Sequence, residues 1–116
     1  MAVEIDIVYE GQLHCTAVHG PSKTSLATDA PVDNGGKGES FSPTDLVATA
    51  LGTCMVTIMG LVASRRQLDI AGTKIRVEKE MVQQPIRRIG KLTVHIAVAN
   101  GSKLSTEQRQ LLENAA

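Results

Sequence analysis

Residues 46 to 63 run for eighteen positions without a charged side chain, between Asp45 and the pair Arg65-Arg66. That is barely the length of a membrane span. Thr49, Thr53, Thr57, Gly52 and Gly60 dilute its hydrophobicity, and the rest of the chain reads as amphipathic soluble-type sequence. A buried helix is therefore expected, with no membrane partner. Its start is marked by Ser42-Pro43-Thr44-Asp45: Ser42 can cap, Pro43 suits the first helical position, and Asp45 stands where a capping box puts its acid. The helix should run from about residue 43 to 66, with the two arginines where the macrodipole favours cations. Apolar residues go nearly all the way round it, so it should be central and buried. Ala48, Gly52 and Gly60 form a stripe of small residues that would let another backbone come close, and a second copy of the helix is one candidate.

The flanking segments alternate with the period of strands. Val3, Ile5, Ile7 and Tyr9 alternate with Glu4, Asp6 and Glu10 up to Gly11; Leu13, Cys15 and Ala17 alternate with His14 and Thr16. A hairpin turn is expected at Glu10-Gly11, and a short third strand over residues 24–28. Residues 29–41, with Pro31, Gly35, Gly36 and Gly38, read as a long loop, which at this length is usually functional or mobile. Two further strands are expected over residues 73–82 and 92–98, with Lys79 interrupting the apolar side of the first. Ser105-Thr106-Glu107-Gln108 then caps a second helix carrying Leu111 and Leu112. The order β-β-β-α-β-β-α indicates an α+β fold: an antiparallel β-sheet with a long central buried helix. At 116 residues, without repeat or linker, the expectation is a single domain over residues 1–116.

Composition narrows the function. Twelve basic residues balance twelve acidic ones, and the only aromatics are Tyr9 and Phe41. A nucleic-acid partner is not expected, because it needs a phosphate-neutralising excess and stacking platforms. Neutrality instead makes self-association easy. Two cysteines are too few for a disulfide scaffold, and no secretory signal opens the chain, so a cytoplasmic location is expected.

Most candidate motifs dissolve on inspection. Gly20-Pro21-Ser22-Lys23-Thr24 lacks the glycines of a phosphate loop. His14, His19 and His95 form no ligand pair at helical spacing, so no metal is expected. Asn34-Gly35-Gly36-Lys37-Gly38-Glu39 is either a backbone anion nest or a plain flexible loop. Cys54, about three turns into the apolar helix, is either a small core hydrophobe or a reactive thiol. A reactive thiol needs a cation or hydrogen bonds nearby, and Lys37 in the glycine-rich loop is the nearest in sequence.

Asp29-Ala30-Pro31, Asp33-Asn34-Gly35-Gly36-Lys37-Gly38-Glu39, Ser42-Pro43-Thr44-Asp45-Leu46-Val47 and Ala50-Leu51-Gly52-Thr53-Cys54-Met55 together resemble the OsmC/Ohr family of osmotically inducible and organic hydroperoxide resistance proteins. The hairpin before these runs and the charged strand pair after them are in matching order. The resemblance implies an intertwined homodimer with sites at the interface. It also implies a thiol-dependent peroxidase of oxidative stress defence, in which Cys54 attacks an organic hydroperoxide, becomes a sulfenic acid and is restored by an external thiol reductant. No cofactor is implied.

The chain departs from the family pattern at three points. The family's second cysteine follows the last helix, about where this sequence stops at Ala116, so the expected domain lacks that segment. Cys15 could substitute only with its Cα within ~7 Å of that of Cys54. The hydroperoxide-resistance branch has a glutamate ten residues before its reactive cysteine, where this chain has Thr44. It also has an activating arginine in the N-terminal region, and no arginine precedes Arg65 here. Lys23 and Lys37 are the available cations. The expected catalytic set is Cys54 with Lys37 and Glu39, Glu39 orienting the cation. The alternative is a non-enzymatic dimeric small-ligand-binding protein of the same fold, with Cys54 merely buried.

Overall fold

The structure is a computed structural model that describes residues 2–116. Two compact units divide the chain, Met1–Leu46 and Val47–Ala116. The elements follow the expected order, with antiparallel pairing throughout: β1 (Ile5–Gly11), β2 (His14–His19), β3 (Ser25–Asp29), α1 (Pro43–Arg65), β4 (Lys74–Val82), β5 (Arg88–Ala97) and α2 (Thr106–Ala115). The fold is α+β.

In the first unit, β1, β2 and β3 form a three-stranded meander with β2 in the middle. The β1–β2 turn falls two residues later than the sequence suggests. Gly11 still belongs to β1 and pairs with His14, and the loop is Gln12 and Leu13, both with positive φ (55° and 61°). Two central residues in that conformation make the turn whose twist matches antiparallel strands. Glycine or asparagine would adopt it more readily, which is why Gln12-Leu13 gives no turn signal in the sequence. The loop at residues 29–41 is organised rather than structureless. Val32–Asn34 form a 3-10 turn, and Asp29 N–H donates to Phe41 O (3.1 Å) while Gly38 N–H donates to Ala30 O (3.2 Å).

In the second unit, β4 and β5 make a long hairpin in which Ile75 faces Ile96, Val77 faces Val94 and Lys79 faces Leu92. Alternation puts these on one side of the ribbon and Lys74, Arg76, Glu78 and Glu80 on the other, which is exposed. The apolar side receives α1. A Cβ added at Gly52 would lie 2.8 Å from Val77 Cγ2 and 3.3 Å from Ile75 Cγ2. The core continues through Met59, Ala63, Ile70 and Leu112, all buried, where the two helices and the segment after α1 meet. Two members of the stripe of small residues, Ala48 and Gly52, thus serve the chain's own packing, and Gly52 admits β4. Gly60 has open space where a Cβ would be.

The helix is buried on one face only. Ala48, Gly52, Met59 and Ala63 are covered, while Val47, Leu51, Ile58 and Leu61 are exposed. A two-stranded ribbon and a ten-residue helix cover one side of a 23-residue rod and no more. By length and composition alone α1 could cross a membrane, yet its inward face is committed to the core of this unit.

Gly52→Leu should therefore destabilise the protein itself. Overpacking of this kind costs ~1–3 kcal/mol, read as a lowered midpoint in urea, whereas Gly60→Ala, with open space for its Cβ inside the helix, should raise that midpoint by a gain of ~0.5–1 kcal/mol.

Candidate functional site

Helix α1 begins at a capping box. Asp45 N–H donates to Ser42 Oγ (3.1 Å), and Ser42 N–H donates to Asp45 Oδ2 (2.9 Å). Two backbone donors that would otherwise lack partners are satisfied reciprocally. This fixes where the helix starts, and with it the direction of every side chain that follows. Cys54 lies two residues beyond Gly52, and two helical residues turn through ~200°. Since Gly52 faces β4, Cys54 faces away from the ribbon. Its thiol is free and the residue is exposed, in contrast to the half-buried, equally free Cys15 on β2.

The surroundings of Cys54 along the helix are uncharged and mostly apolar. Residues one turn away share its face, and these are Ala50, Leu51, Thr57 and Ile58. Val47, Leu51, Cys54, Ile58 and Leu61 follow one another at spacings of four, three, four and three, and all five are exposed. This is the spacing of a coiled-coil seam, and the thiol sits at its centre. No charged side chain lies between Asp45 and Arg65, so a cation that stabilises the thiolate has to come from another segment.

Lys37 and Glu39 belong to the first unit, in the loop between β3 and α1, and both side chains are exposed. Cys54 belongs to the second unit. The anion nest at residues 34–39 does not form. Gly35 N–H donates to Val32 O (3.2 Å), Gly36 N–H to Pro31 O (3.0 Å) and Gly38 N–H to Ala30 O (3.2 Å). With those donors turned inward, the loop has no concave ring of amides to offer an anion. Lys23 lies in the β2–β3 turn with φ at 62°, its N–H donating to His19 O (2.8 Å).

The structure also joins residues that the sequence leaves apart. His14 and Asp29 face each other across β2 and β3, with Nδ1 2.6 Å from Oδ1, and Asp29 is only 3% exposed. Glu10 Oε1 approaches the other ring nitrogen at 3.4 Å and accepts a hydrogen bond from the Thr16 hydroxyl. Burying a carboxylate requires such a partner, so the pair pins the register of β2 on β3. The signal available in the sequence was the strand spacing, which brings the two together only once both turns are placed. Among the described residues no group of three or more His, Cys, Asp or Glu could hold a metal ion.

The family described as OsmC-like protein matches residues 36–116. A Psychrobacter arcticus crystal structure, named for an osmotic stress induced and detoxification response, is 41% identical and superposes with a TM-score of 0.89. The match covers 96% of this chain and 79% of that one. The OsmC organic hydroperoxide resistance protein of Legionella pneumophila is 14% identical with a TM-score of 0.72, over 99% of this chain and 81% of that one. Bacillus subtilis OhrB, an organic hydroperoxide resistance protein, is 16% identical with a TM-score of 0.65, over 99% and 82%. The latter two share the fold. No curated protein matches the sequence.

The capping box generates a direct check. Ser42→Ala removes the hydroxyl that accepts from Asp45 N–H and should cost ~1 kcal/mol of stability, measured by urea unfolding. Ser42→Asp, which restores an acceptor, should recover part of it.

Proposed function

Because the chain belongs to the OsmC-like protein family, we propose that it is a thiol-dependent peroxidase that reduces organic hydroperoxides in oxidative stress defence. The observation that carries this reading is Cys54 itself: a free thiol, exposed, at the centre of an apolar stripe. The names borne by the relatives, detoxification response and organic hydroperoxide resistance, support the same chemistry.

The reaction follows from the thiolate. Its sulfur attacks one peroxide oxygen; the S–O bond forms as the O–O bond breaks, and the alkoxide leaves, taking up a proton to become the alcohol. Cys54 is then a sulfenic acid. An external dithiol attacks it, forming a mixed disulfide and releasing water. The second thiol of the reductant then displaces Cys54 as a thiol. Leu51 and Ile58, one turn to either side, would meet the alkyl group of the hydroperoxide. Lys37 would stabilise the thiolate and Glu39 would orient Lys37. No cofactor enters the scheme, and two free thiols suit a reducing cytoplasm.

We further propose a homodimer in which the seam of Val47, Leu51, Ile58 and Leu61 meets its counterpart, placing Cys54 at the interface. Exposed apolar residues at heptad spacing support this, as does zero formal net charge.

Two measurements test these readings. Cumene hydroperoxide should be consumed in the presence of dithiothreitol, with mass spectrometry placing the sulfenic acid on Cys54 before Cys15. Cys54→Ser should abolish turnover, and undiminished consumption by that variant would remove Cys54 from the mechanism. For the dimer, Ile58→Lys should yield a monomer by light scattering at micromolar concentration, while the wild type runs at twice that mass.

A further inference from the structure

The second unit carries a cavity that the thiol chemistry does not use. It has a volume of about 220 Å³ and opens between α1, the end of β5, the 3-10 turn Gly101–Lys103 and α2. Met59 and Leu112, 3% and 2% exposed, belong to its apolar wall, which Val98 and Leu104 complete. Arg109 and Glu113 supply its charged side chains, four residues apart and so on one face of α2.

The two charges are not spent on each other. Arg109 donates through Nε (3.2 Å) and Nη2 (2.8 Å) to Gly101 O. This holds the guanidinium in place by one edge. Its other edge, Nη1 with the second Nη2 hydrogen, has no partner among the described residues, and that edge has the geometry for a bidentate carboxylate. Glu113 makes no ion pair with Arg109 among the described residues. Its carboxylate would repel a second carboxylate and attract an ammonium.

An apolar cavity lined in part by an exposed guanidinium and an exposed carboxylate, four residues apart on α2, is complementary to one small-molecule pattern. A space of about 220 Å³ is below the size of a drug-sized site and suits a short branched aliphatic chain, with the charged groups of the ligand held at its rim. We propose that this cavity binds a free aliphatic α-amino acid of the leucine class. The α-carboxylate pairs with Arg109, the α-ammonium with Glu113, and the branched side chain lies on Met59, Val98, Leu104 and Leu112. The inference is independent of the thiol chemistry of Cys54.

The probes are L-leucine, 4-methylpentanoate, which lacks the ammonium, and isoamylamine, which lacks the carboxylate. Binding to the full chain is followed by NMR through a 13C-labelled methyl of Met59. L-leucine should shift that signal saturably, and each one-charge analogue should bind at least tenfold more weakly. Glu113→Gln should bring L-leucine down to the level of 4-methylpentanoate, and Arg109→Gln to that of isoamylamine. Because Arg109 also ties down Gly101, the Glu113 variant is the decisive one. No saturable shift with L-leucine up to 10 mM, equal affinity for all three probes, or undiminished L-leucine binding by Glu113→Gln would overturn the proposal.

Discussion

The close approach of α1 to β4 at Gly52 governs the second unit. With no Cβ at that position, the helix sits against Val77 and Ile75; with one, the nearest methyl would be 2.8 Å away. A helix is rigid in rotation about its axis, so one contact of this kind assigns every other residue its side. Ala48, Met59 and Ala63 turn inward with Gly52. Cys54, about 200° round from Gly52, cannot join them. The thiol's exposure is thus a consequence of where the glycine is, not a separate feature of the cysteine.

The same rotation divides the uncharged segment into two apolar faces with different fates. One is consumed by the ribbon and α2. The other, from Val47 to Leu61, has no cover from its own unit. Exposed apolar stripes of this length usually mark an interaction surface. The regular alternation of four and three residues favours a straight helical partner over an irregular one. Within that stripe Cys54 stands between Leu51 and Ile58, each one turn away and larger than the cysteine. A small organic molecule reaching the thiol would find apolar walls there.

Much of the fold was legible in the sequence because it is written in local patterns. Strand alternation, the Ser42–Asp45 box and the Ser105–Gln108 box each depend on residues no more than a few positions apart, and the structure has all of them. What escaped depends on conformation or partners that residue type does not encode. Gln12 and Leu13 take positive φ although neither residue favours it. Gly52 could have faced any backbone; only the assembled ribbon decides that it is β4. His14 looked like an ordinary strand histidine until β3 carried Asp29 to within 2.6 Å. At the candidate site the sequence singled out Cys54 by its place in a recognisable run of residues. Its outward direction and apolar neighbours required the helix to be seated first.

The thiol and the cavity beside Met59 lie on different sides of the same helix. Met59 follows Cys54 by five residues, which turns it through about 140°, into the core that the cavity adjoins. Cys54 is not among the residues that line the cavity, so the thiol and that space face different surroundings. What they share is the rod between them. A ligand that filled the space beside Met59 and Leu112 would support the inward face of α1 near its C-terminal half. The outward seam would then be presented by a helix held more firmly on its ribbon. Any influence of one site on the other would run through the seating of α1, with Gly52 as the fixed point about which that seating is defined.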